Sequence, residues 1–225
     1  MKNLVYLLTF VIATSAVAQT NGVEIEKQKL KQALAYGDKS IALASMYSII
    51  AHEGAQSTYK DSLAYLYFDG RNYLSCFLVA NDILSYKPDD TALIEMSAIS
   101  LETMGALEKS AETYTTLLSK TNNNYHAYKL AGLQLGLKKL DEAYATIKKA
   151  DQMADTENIK VNFQVNKNYS EDVDLKAAIA YLEGVIALNL EKDEAAISCF
   201  ERAISIFPEF VLAKNQLSTI EKPKE

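Results

Sequence analysis

Cysteine is scarce: Cys76 and Cys199 are the only two in 225 residues, too few for a disulfide framework. Proline and glycine are thin as well, at 3 and 8 residues, which excludes a collagen-like chain. Basic charge is in deficit, with 23 Lys and Arg against 29 Asp and Glu, a net charge of −6. Nucleic acid is therefore not an expected partner, because phosphate contacts need clustered Lys and Arg. Histidine is limited to His52 and His126. His52-Glu53 opens like a zinc-protease helix, but Gln56 stands where the second His belongs. No His and Cys lie at metal-ligand spacing, and there is neither a Gly-rich phosphate loop nor a nucleophile elbow. Asp172 and Asp174 lack the turn glycine and distal Glu of a calcium loop and are expected as charges at a helix start. His126 is expected as a surface imidazole. No catalytic residue, metal or cofactor is expected, and the chain is read as not an enzyme.

What the chain does have is apolar bulk. Hydrophobic residues make up 49% and charged residues 23%, near globular averages, which argues against wholesale disorder. The N-terminus is distinctive: Lys2, then an apolar run from Leu4 to Val11, then small residues ending in Ala16-Val17-Ala18. This is the pattern of a secretory signal peptide over residues 1–18. The run is too short for a bilayer span of roughly 20 residues, so no stable membrane span is expected. No Cys follows the small residues, which disfavours a lipid anchor. The expected compartment is extracytoplasmic, a bacterial periplasm or the exterior. Without residues 1–18, 22 basic residues face 29 acidic ones.

The remainder repeats itself. Leu63-Ala64, Ser97-Ala98 and Leu130-Ala131 each precede an apolar helical stretch, so the alanines recur after 34 and 33 residues. Turn signals recur in step, at Gly37-Asp38, Gly70-Arg71-Asn72 and Gly105. Pro88 and Pro208 close second helical stretches, as expected just beyond a helix end. A last unit carries Tyr181-Leu182-Glu183-Gly184, Glu194-Ala195-Ala196-Ile197, Phe200, Ala203 and Pro208.

These residues resemble the tetratricopeptide repeat (TPR) family, whose unit is a helix–turn–helix of about 34 residues. Glu183 departs from the pattern, since an apolar residue is usual there. Units are expected near 23–56, 57–90, 91–124, 124–157 and 177–210, with a capping helix at 210–222. Small residues at Ala64, Ala98, Ala131 and Gly184 would let paired helices approach closely. The resemblance implies an all-α solenoid of stacked helical hairpins in a right-handed superhelix.

From Ala131 to Gly184 the step is 53 residues, so an insertion lies near 157–174. Two readings stay open for it. One is a flexible excursion, the reading preferred for a long loop. The other is a short strand or hairpin folded over the groove or paired with a partner, since residues 160–166 alternate polar and apolar. Ser170 is expected as a helix N-cap, with Glu171, Asp172 and Asp174 beside it.

In the family, first helices line a concave face that binds peptides or helices. Matched in phase, this resemblance implies a groove of Tyr65, Phe68, Ile99, Tyr125, Tyr128, Tyr181, Val185 and Leu188, with Glu95 and Leu135 alongside. Carboxylate clamping needs Lys, Asn and Arg there, and only Lys27 and Lys31 come near, so that ligand type is disfavoured. The implied function is a protein–protein interaction scaffold holding a peptide or protein partner in the groove. The alternative is self-association, as a homo-oligomeric structural element or a chaperone-like accessory subunit of a cell-envelope assembly.

Overall fold

The computed structural model describes residues 22–154 and 158–220. The signal pattern at 1–18, residue 157 of the insertion and the end of the capping helix at 221–222 lie outside the described residues. Helix α1 runs over 22–35. It is followed by α2 Lys39–Glu53, α3 Tyr59–Asp69, α4 Tyr73–Leu84, α5 Thr91–Thr103, α6 Leu107–Thr121, α7 Asn124–Gly136 and α8 Leu140–Gln152. Strands β1 Lys160–Asn166 and β2 Tyr169–Asp174 come next, then α9 Leu175–Asn189, α10 Asp193–Ile206 and α11 Val211–Ile220. The chain is a helical-repeat fold of successive helix–turn–helix pairs interrupted by one β-hairpin. Among the described residues no helix is long and apolar enough to cross a membrane.

Two compact units divide the chain, Met1–Ser100 and Leu101–Glu225. In the first, Leu30, Ala33, Ala42, Met46, Ile49 and Leu63 form one buried cluster. Ala64, Cys76, Ala80, Ile83, Leu93 and Met96 form another. In the second, Phe200 is fully buried with Ala187 and Ala196, and the hairpin packs on α9, α10 and α11 through Val173, Ala177, Ala180, Ala203, Phe210 and Ala213. Each pair buries a face it could not bury alone, which is why stacking supplies the core.

One backbone conformation recurs at the turn inside every pair. Gly37 (φ 71°), Arg71 (57°), Gly105 (79°), Lys138 (59°) and Glu191 (57°) all adopt the left-handed conformation. It reverses the chain sharply after the first helix, and glycine takes it at no steric cost. Three of the five positions carry a side chain instead, so the turn is dictated by helix packing and tolerated locally. The residue that follows starts the second helix: Asp38 accepts from Ile41 N–H at 3.0 Å and Asn72 from Ser75 N–H at 3.4 Å.

The small residues do sit at close approaches. Ala64, Ala98 and Ala131 are fully buried. At Gly184 a Cβ would fall 2.7 Å from Phe200 Cε1, so the α10 aromatic occupies the space a side chain would need. Both cysteines are free and buried.

The insertion corrects the preferred reading of a flexible excursion: it is an antiparallel hairpin. Its register runs from Lys160↔Asp174 to Gln164↔Ser170, with an irregularity between Gln164 and Asn166 before the turn. Alternation explains it, since Val161, Phe163 and Val165 share a half-buried face. The Phe163 ring lies 5.0 Å from that of Phe210 and 5.5 Å from that of Tyr181. The expected N-cap at Ser170 also fails, because Ser170, Glu171 and Asp172 belong to β2. Asp172 accepts from Asn162 Nδ2 at 2.7 Å, and Asp174, next to α9, pairs with Lys160 at 3.2 Å. Glu171 is buried and accepts from Val211 N–H at 3.1 Å, tying the hairpin to the first residue of α11. His126 is a further correction: it is buried, not on the surface, with Nδ1 2.8 Å from Thr121 Oγ1.

Candidate functional site

The second unit carries a cleft between first helices α7 and α9 and the start of α6. Its volume is about 370 Å³, and Leu107, Tyr128, Gly132, Leu133, Gly136 and Leu182 line it. Gly132 and Gly136 lie one turn apart on α7, which leaves the helix backbone as the floor. A Cβ at Gly132 would meet Leu182 Cδ2 at 4.0 Å, and one at Gly136 would meet nothing. The rim is polar: Lys129 Nζ donates to Glu102 Oε1 at 2.8 Å. One wall is Tyr128, stacked on Tyr125 with ring centroids 6.5 Å apart at 24°. Burial, followed by the neighbouring Tyr125, Tyr181 and Glu102, raises the Tyr128 hydroxyl well above the usual phenol range. The phenol stays neutral at physiological pH, available as a hydrogen-bonding group beside an apolar hole.

The other sequence-derived residues divide by environment. In the first unit, Tyr65 stands 53% exposed on α3, whereas Phe68 packs edge-on against Tyr73 and onto the cluster around Cys76. Glu95 and Ile99 are half-buried on α5. In the second unit, the rings of Phe163, Phe200 and Phe210 surround Tyr181 at 4.9–5.7 Å, and burial raises its hydroxyl above the ordinary range. Val185 and Leu188 pack onto the cluster of Ala187, Ala196 and Phe200. Leu135 is half-buried on α7. Tyr125 and Tyr128 are thus brought together, with Tyr128 lining the cleft and Tyr125 stacked behind it, while Tyr181 sits largely in a seam. Lys27, one of two residues resembling a carboxylate clamp, is held by Glu53 at 3.1 Å.

Sequence reading missed a second polar cavity of about 330 Å³ on α8, α9 and α10. Glu183, out of place in the repeat pattern, is buried and accepts from Arg202 Nη2, while Arg202 Nη1 donates to Asp151 at 2.8 Å. The only signal available was Glu183 itself, an acidic residue where an apolar one belongs. Its partner Arg202, and Asp151 that shares this guanidinium, come from two other helices and share no local spacing with it. Burial, with Glu183 adding, pushes the adjacent Cys199 thiol up to about 11. A thiol with that pKa holds little thiolate at neutral pH.

No family model matches the chain, and no curated protein matches it. Solved structures do. YrrB, described as a TPR protein with an unusual peptide-binding site, superposes with a TM-score of 0.67 at 15% identity, over 89% of this chain and 98% of that one. MamA from Desulfovibrio magneticus RS-1, from residue 41 to its end, gives 0.63 at 11% identity, over 84% and 97%. A further MamA structure gives 0.59 at 14%, over 72% and 79%. The fold is that of the tetratricopeptide-repeat proteins.

Proposed function

We propose that this chain is a non-enzymatic interaction scaffold that holds an extended peptide or protein segment against the first-helix face, in an extracytoplasmic compartment. The observation that carries the reading is the α7 cleft, an apolar hole floored by two glycines and walled by a neutral, half-buried tyrosine. Such a hole accepts one large apolar side chain, and the stacked Tyr125–Tyr128 pair offers the rigid aromatic contact typical of binding hot spots. The peptide-binding site described for YrrB supports a binding role for the same fold. The export pattern at 1–18 supports the compartment, and a mature chain starting at Gln19 in mass spectrometry would establish it.

The discriminating variant is Gly136→Leu. A Cβ there meets nothing, so the side chain fills the cleft without disturbing the helix. In a display screen of extended peptides, binders selected by the parent should lose at least about tenfold in affinity for Gly136→Leu and for Tyr128→Ala. The melting midpoint of Gly136→Leu should not fall. Selected peptides that bind Gly136→Leu as well as the parent would place the site elsewhere.

A further inference from the structure

The hairpin presents a strand edge that is separate from the cleft. A two-stranded ribbon is marginal by itself and leaves two edges. Among the described residues, its backbone bonds run only between β1 and β2 and, at the base, from Leu175 N–H to Ile159 C=O. The two strands are not equally covered. On the inner face Glu171 and Val173 of β2 are buried, at 5% and 0% exposure, whereas Val161, Phe163 and Val165 of β1 are only half-buried. Uncovered apolar surface therefore lies along β1, beside the edge to which another strand would add.

We propose that β1 pairs antiparallel with β1 of a second copy of this chain, forming a four-stranded sheet about a two-fold axis at Phe163. The sequence of β1 fits itself in that register. Strand β1 covers seven residues with Phe163 at its midpoint, and its regular register with β2 runs over Lys160–Gln164, just past that midpoint, before the irregularity at Val165. Phe163 then faces Phe163 of the second copy, and Val161 meets Val165, which lies at the irregularity but keeps to the half-buried face. On the outer face Asn162 lies opposite Gln164, amide against amide. Lys160, already neutralised by Asp174 at 3.2 Å, lies opposite the uncharged Asn166, so no like charges meet. An isologous two-fold contact requires this self-complementarity, and addition at a free strand edge is an established mode of recognition.

The test uses charge at Asn162 and Gln164, both exposed. Substitution spares the inner face but removes the Asn162 bonds to Ser170 and Asp172 and the Gln164 bond to the Tyr169 carbonyl. Rescue on mixing the two variants, and not loss of the dimer alone, therefore carries the test. In the paired sheet, Asn162→Lys with Gln164→Lys sets two lysines opposite two lysines, and the double Glu variant does the same with carboxylates. Sedimentation of the full chain, and of the form starting at Gln19, across about 1 μM to 1 mM should show a monomer–dimer equilibrium for the parent. Each charged variant should dissociate at least about tenfold more readily, because like charges across an interface are strongly unfavourable. Mixing the two should restore a dimer containing one of each. Melting midpoints report that the variants are folded, and concentration-dependent hydrogen-exchange protection of β1 in the parent gives a readout free of mutation. A parent that stays monomeric throughout, or a dimer indifferent to both charged pairs, overturns the proposal.

Discussion

Replacing Gly184 by alanine sets two effects of opposite sign against each other. Gly184 lies inside α9, where alanine is intrinsically better by about 0.8–1.0 kcal/mol. Against this, the new Cβ would lie 2.7, 2.9 and 3.0 Å from three ring atoms of Phe200. Ordinary carbon contacts are about 3.5–4.0 Å, so the ring must retreat by most of an ångström. It has nowhere to go, being fully buried among Ala187, Ala196 and the side chains packed on them. Overpacking of this kind costs about 1–3 kcal/mol, and a rigid, enclosed ring belongs in the upper half of that range. The net expectation is a loss of about 1–2 kcal/mol. In urea, with a slope near 2 kcal/mol per M, the unfolding midpoint followed by circular dichroism should fall by roughly 0.5–1 M. Gly132→Ala is the internal control, because its Cβ meets only Leu182 Cδ2 at 4.0 Å, and it should gain up to about 1 kcal/mol. Combining Gly184→Ala with Phe200→Leu should relieve the clash and give a non-additive cycle of about 1 kcal/mol or more. If Gly184→Ala is as stable as the control, or the cycle is additive, the Phe200 ring is not what demands glycine.

The recurring left-handed turn predicts opposite signs at equivalent positions. Lys138→Gly and Glu191→Gly should be neutral to stabilising by up to about 1 kcal/mol, since a side chain is strained there, while Gly105→Ala should lose about 1 kcal/mol. Thermal melts of the three variants decide it, and a loss in both glycine variants would refute it. The pair of hydroxyls Tyr47 and Tyr67, 2.8 Å apart, predicts alkaline sensitivity. Burial and then Tyr47 push the Tyr67 phenol up to about 12, against about 10 when unfolded. Between those values the unfolded chain gives up a proton that the folded chain keeps. This contribution is therefore whole below about pH 10 and is lost as pH rises toward 12. Urea midpoints from pH 9 to 11 should fall less steeply for Tyr67→Phe, and equal slopes would contradict the assignment.

The repeat was legible because it is written in local chemistry. Alanines 33–34 residues apart, turn signals in step and prolines after second helices all follow from helix periodicity, and each can be read within one unit. The helix pairs and the burial of Ala64, Ala98 and Ala131 follow from the same spacing. The alternation at 160–166 carried the strand as well, but a two-residue period cannot say whether anything will cover its apolar face. Phe210 and Tyr181 pack against Phe163 and leave the face half-buried, and they lie 47 and 18 residues away from it along the chain. Only the tertiary structure could place Ser170 and Asp172 in a strand, because a carboxylate before a helix reads the same whether it caps that helix or pairs across a hairpin. The same holds for His126, buried beside the rings of Tyr114 and Tyr125, and for Glu183, which is tolerated in a core because Arg202 reaches it from α10. Among the tyrosines, residue type and phase were local information. Which of them wall a cleft and which fill a seam depended on side chains brought from other helices, since burial belongs to the assembled packing and not to the segment that supplies the ring.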